Sequence, residues 1–121
     1  MSTSSFGYIP SIETDSVIKV TGEEASNAIS IHGVAGVITV PAPGTLAAGG
    51  VYAIAVTNPA VLSTSVVHAT VTDYAGTMST QGLPVATVDS IADGSFTINL
   101  VNAHPSAAFA DVAVEIAFTV V

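Results

Sequence analysis

The chain of 121 residues contains no cysteine, no tryptophan and no arginine, and its one basic side chain is Lys19. Without cysteine there is no disulfide framework, thiol nucleophile or thiolate metal site. Nucleic-acid binding relies on Lys and Arg to release the counterions of the phosphate backbone, and anionic membranes attract the same residues. Neither nucleic acid nor membrane is therefore expected as a partner of a chain with net charge −8. No apolar run approaches the roughly 20 residues that span a bilayer. The opening Met1-Ser-Thr-Ser-Ser-Phe-Gly7 has neither the basic nor the apolar region of a secretion signal. The expectation is a soluble protein made in the cytoplasm.

Charge of either sign is scarce. Charged residues make up 8% of the chain, where about 25% is usual, while half of its residues are hydrophobic. Such a surface must be covered by Thr, Ser, Asn and backbone, or by another protein, since the centres of subunit contacts are depleted in charge. The length suits one domain with its own core.

What is present is a series of short β-type segments set between turn residues. Ile29-Ser-Ile31 alternates, and Gly36–Val40 stops at Pro41-Ala-Pro43-Gly44, which cannot continue a ladder. Gly49-Gly50 opens Val51–Thr57, with Tyr52, Ile54 and Val56 on one face. Ser65–Tyr74 and Pro84–Ile91 follow, the latter ended by the hairpin signal Asp93-Gly94. Beyond it, Phe96, Ile98 and Leu100 share a face. The last segment has the clearest period of two, with Val112, Val114, Ile116, Phe118 and Val120 set against Ala113, Glu115, Ala117 and Thr119. No window supports an amphipathic helix of useful length.

The fold class expected is all-β, a single antiparallel β-sandwich or jelly roll of about seven or eight strands. Residues 26–121 form the sandwich domain. Residues 1–25 read as an extended N-terminal arm, containing one possible short strand at Ser16–Thr21. Phe6, Tyr8, Ile9 and Ile12 would be poorly buried in an isolated arm, so they are expected to dock on a neighbour. Several strands carry Val, Ala or Ile on both faces, and the second face needs a cover. An oligomer supplies one, and Val67, His68 and Ala69 are candidate interface residues.

Catalytic chemistry finds no foothold, and the chain reads as non-enzymatic and without a cofactor. His32, His68 and His104 lie far apart, with no paired ligand spacing, so no metal site is expected. Glu23-Glu24 reads as a solvated charge patch rather than the acid pair of a glycosidase. Asp89 and Asp93 flank a turn and suit Asx-turn or capping roles. The serines lack a Gly-x-Ser-x-Gly elbow, and no EF-hand spacing supports calcium on Asp73, Asp89 or Asp93.

From Asn27 onward the order of motifs resembles a group of small bacteriophage virion proteins. The residues that carry the likeness are Gly33-Val-Ala-Gly-Val-Ile-Thr39, Leu46-Ala-Ala-Gly-Gly-Val-Tyr52, Thr57-Asn58 and Ser63-Thr-Ser-Val-Val67. They continue with Gly82-Leu-Pro-Val85, Asp93-Gly-Ser-Phe-Thr-Ile98 and Asn102-Ala-His-Pro-Ser-Ala107, before an apolar last strand. The resemblance implies a trimeric capsid decoration (cement) protein of β-sandwich or jelly-roll type, or a head-fibre part. It implies a homotrimer on the virion capsid surface, with the major capsid protein as partner; the likeness leaves out the N-terminal arm, which its own apolar residues mark as the capsid-docking segment. A second reading is a head- or tail-fibre or adhesin module that binds a host receptor or glycan. That reading needs an exposed aromatic platform. Tyr52, Phe96 and Phe118 fit core faces, which leaves Tyr74 and Phe109 as its candidates.

Overall fold

The computed structural model describes residues 19–121, and within them the chain is all-β with no helix. The strands are β1 (Lys19–Glu23), β2 (Ala28–Ser30), β3 (Ala35–Val40) and β4 (Val51–Thr57), then β5 (Val67–Tyr74), β6 (Pro84–Ala92), β7 (Ser95–Asn102) and β8 (Val114–Val120). They form two four-stranded sheets. The first has the order β1-β3-β8-β5 and the second β2-β4-β7-β6. The chain changes sheet at nearly every connection; among the described strands, β6 and β7 are the one consecutive pair that forms a hairpin within a sheet.

Period-two patterning explains which faces meet. Ile38 and Val40 of β3 and Val114, Ile116 and Phe118 of β8 point inward from the first sheet. Ile54 and Val56 of β4 and Phe96, Ile98 and Leu100 of β7 point inward from the second. All are buried, and the rings of Phe96 and Phe118 meet across the core with centroids 6.0 Å apart. Side chains of this size each contribute about 1.5–3 kcal/mol when removed from water.

Two expectations are corrected. The sheets are mixed rather than antiparallel throughout, because β1 runs parallel to β3 and β2 parallel to β4. The sandwich also begins earlier than residue 26: Lys19–Glu23, assigned to the arm, is paired with Ala35–Thr39 as an edge strand. Gly36 shows why β1 fits there. A Cβ at this position would lie 2.6 Å from the Val20 carbonyl and 2.8 Å from the Phe118 ring, so any other residue would push β1 away.

Between β1 and β2 the chain passes from one sheet to the other at a tight turn. Ser26 and Asn27 both have positive φ, 54° and 65°, and Ala25 and Ala28 exchange backbone hydrogen bonds of 3.0 and 3.1 Å. That is the geometry of a type I′ turn. On the opposite side of the sandwich the edge strands β5 and β6 approach each other across the sheets. Each carries an irregularity, between Val71 and Asp73 in β5 and between Asp89 and Ala92 in β6.

Candidate functional site

The side chains that could do chemistry are tied into loops. Asn58 continues the inward parity of Ile54 and Val56 and is fully buried. Its Oδ1 accepts from the Gly33 and Ala60 N–H groups at 3.3 and 3.0 Å, and its Nδ2 donates to the Gly33 carbonyl at 2.8 Å. Asn102 follows Leu100 in the same way and is also fully buried. Its Oδ1 accepts from Leu83 and His104 N–H, both at 3.1 Å, and its Nδ2 donates to the Leu46 and Ala107 carbonyls at 3.1 and 2.8 Å. β4 and β7 are antiparallel, so these asparagines close opposite ends of the sandwich. A buried amide with its donors and acceptors satisfied is a structural fastener, since leaving one unmet costs about 1–3 kcal/mol.

The histidines are dispersed. His32 is exposed in the loop before β3. His104 Nδ1 accepts from the Ser106 and Ala107 N–H groups at 3.0 and 2.7 Å, which shapes its own loop. His68 points to solvent from β5, whereas Val67 beside it is buried in the core and Ala69 is packed against that core. Among the three interface candidates, His68 is therefore the one that faces outward. Phe6, Tyr8, Ile9 and Ile12 lie outside the described residues.

Glu23 and Glu24 do not form a solvated pair. Glu23 is exposed on β1, and Glu24, 4% exposed, turns inward. The Tyr52 hydroxyl donates to the Glu24 carboxylate, 3.1 and 3.0 Å from its two oxygens, and the Asn27 N–H donates to Oε2 at 3.0 Å. Asn27 in turn donates from Nδ2 to the Ala53 carbonyl at 3.1 Å. This latch fastens the first sheet to β4. Burial, and then the hydrogen bond and charge of Glu24, raise the Tyr52 hydroxyl above the usual tyrosine pKa. Two other acids hold loops, Asp93 accepting from Ser63 N–H at 2.7 Å and Asp111 from Gly44 N–H at 2.8 Å, whereas Asp89 lies within β6 and accepts from the Asn99 amide of β7 at 3.1 Å. Among the described residues no group of three or more His, Cys, Asp and Glu side chains is placed to hold a metal ion.

The aromatic side chains face inward as well. Tyr74 and Phe109 are buried and pack together with centroids 5.6 Å apart. The Tyr74 hydroxyl donates to the Gln81 carbonyl. No described aromatic ring is exposed.

The outer faces of the two sheets are what the molecule presents, and they differ. Across the first sheet the register aligns Glu23, Thr39, Glu115 and Asp73 in one row, and Lys19, Ala35, Thr119 and His68 in another. Across the second sheet the corresponding rows are Ala28-Ala55-Thr97-Asp89, Ala53-Asn99-Thr87 and Val51-Val101-Val85. Val51 and Val85 are 53% and 40% exposed. Among the described residues the second face is thus built mostly of short side chains and carries one charge, Asp89, at its rim. Sequence reasoning missed both asparagines and this asymmetry. The asparagine signal is there in the continued period of two, and the asymmetry follows once strand order is known. No family model, curated protein or solved structure matches the chain.

Proposed function

We propose that the chain is a bacteriophage capsid decoration protein that assembles as a trimer and binds the outer face of the head lattice through the major capsid protein. The observation that carries this reading is an internally fastened frame whose exposed large apolar side chains are, Met78 apart, aliphatic. Val34, Val51, Leu62, Val66, Leu83 and Val85 are all more than a third exposed, while the described aromatics face inward and Asp93, Asp111, Asn58 and Asn102 close loops. Exposed aliphatic groups on a frame with satisfied polar groups suit protein–protein contact, and they offer a reacting molecule little. The fibre or adhesin reading is weakened by the burial of Tyr74 and Phe109, the rings left for a sugar platform.

In a decoration role the protein adds contacts between neighbouring capsid subunits, and so stabilises the head by mass action. The test is to mix the purified protein with undecorated heads, sediment them, and image the pellet by cryo-electron microscopy. Saturable binding at symmetry-related positions on the lattice, with greater resistance of the heads to heat, is the expected result. Binding to tails or to host cells, with none to heads, would replace this reading by the fibre one.

A further inference from the structure

We infer that the outer face of the second sheet, centred on Ala55 of β4 and Thr97 of β7, is where copies of this chain pack against one another. This rests on the assembly reading above only in that copies of the chain associate: packing of two identical sheet faces joins copies in pairs, so the contact is additional to the one around a three-fold axis. The first argument is charge. Every copy carries −8, with nine acids against one lysine, so identical copies repel unless they meet where acids are absent. The first sheet's outer face would bring the row of Glu23, Glu115 and Asp73 against its like, and like charges juxtaposed in a contact cost several kcal/mol. The second face has Asp89 alone, on the edge strand and held by the Asn99 amide. A basic partner would select the first face, so the uncharged face suits a copy of the same acidic chain.

The second argument is shape and size. Ala, Ser, Thr and Val, with Asn99 alone among them as a longer side chain, stand in register across β2, β4 and β7, a surface onto which another sheet can close to about 10 Å. Four strands at about 4.8 Å spacing and seven residues at about 3.4 Å give a face of roughly 450 Å² in projection. Two such faces total roughly 900 Å², close to the ~1,000 Å² at which specific interfaces begin.

The chain lacks cysteine, which gives a clean test. Ala55→Cys in the full-length protein should yield disulfide-linked dimers on oxidation, whereas Thr70→Cys, on the outer face of the first sheet, should not. Independently, Ala55→Glu should weaken self-association about 100-fold by sedimentation, with unchanged thermal unfolding of the monomer. Mixing it with an Ala55→Lys variant should restore association. Thr57→Lys, exposed on the same face, serves if Ala55→Glu fails to fold. If the wild type associates but only Thr70→Cys cross-links, the assigned face is wrong and the assembly reading stands. A wild type that stays monomeric at about 100 µM overturns both.

Discussion

The two ends of the sandwich are closed by the same residue type in different ways. At one end two of the loops, residues 31–34 and 93–94, are short, and Asn58 clamps Gly33 in the first of them and the N–H of Ala60 in its own nine-residue loop, 58–66. At the other end three long loops, residues 41–50, 75–83 and 103–113, converge on Asn102. One amide there reaches all three, through Leu46, Leu83, and the pair His104 and Ala107. Phe109 covers this junction, seated against Gly82, whose φ of +91° and close approach to the ring leave no room for a Cβ. A longer loop loses more entropy on ordering, so the long-looped end needs a fastener with more arms. Closure of one end is thus local, and closure of the other is shared.

The sharpest way to break this comparison is Asn102→Asp. It removes the two donors to Leu46 and Ala107 and sets a carboxylate against their carbonyls in a buried site. A loss on the order of 4 kcal/mol is expected at neutral pH by urea unfolding. The deficit relative to wild type should narrow on acidification, as protonation returns a donor and removes the charge. Phe118→Ala, midway between the ends, should cost about 3–5 kcal/mol as a core truncation. A harmless result there would mean that the register of β8 is wrong.

Next comes the direct contrast. Asn102→Ala should cost about 2–4 kcal/mol and Asn58→Ala about 1–3 kcal/mol, since fewer buried groups lose their partners at Asn58. Hydrogen exchange should show opening of all three loops in the first variant and of the 31–34 and 58–66 loops alone in the second. Equal, local opening in both would abolish the distinction.

Tyr52→Phe, which unfastens the Glu24 latch, should cost about 1–2 kcal/mol. The Tyr52 pKa is raised in the folded state, so its contribution is fully present below the ordinary tyrosine pKa near 10 and lost as pH rises through the folded value. The stability gap between wild type and Tyr52→Phe should accordingly close in strong alkali, as followed by thermal unfolding against pH. The smallest effect belongs to Glu115→Ala, on the outer face of the first sheet, at under about 0.5 kcal/mol. A marked loss of stability or of assembly would show that this face also lies in a contact.

Much of the fold is legible in the sequence because period two is strict where one face is buried. Val51–Thr57 is β4 as its pattern reads, and the alternation ending in Phe118 is β8. The edges were less legible for a physical reason. β1 has one inward apolar side chain, Val20, and its partner β3 is fixed by a non-local contact over Gly36, so Lys19–Glu23 resembled an arm. The sharp turn at Ser26-Asn27 contains no glycine, and parallel pairing leaves no mark on composition. Glu24 sits beside Glu23 in a sequence that gives no sign that one is wet and the other buried. Asn58 and Asn102 were legible in principle, each two residues beyond the last inward apolar residue of its strand, but an asparagine before a proline-containing turn reads first as a turn residue.

The parallel pairing of β1 with β3 also has a mechanical consequence. Tension entering the domain through residue 18 pulls along the axis of β1, at the same end from which β3 departs. Where the opposing force holds the sandwich from the far end of β3, the ladder between Lys19–Glu23 and Ala35–Thr39 is loaded in shear. Its hydrogen bonds bear the force together, instead of opening one after another as in a peeled hairpin. Glu24, anchored by the Tyr52 hydroxyl and the Asn27 N–H just beyond the strand, resists sliding in that direction. An edge strand of five residues is in this way a firm point of attachment for whatever precedes it.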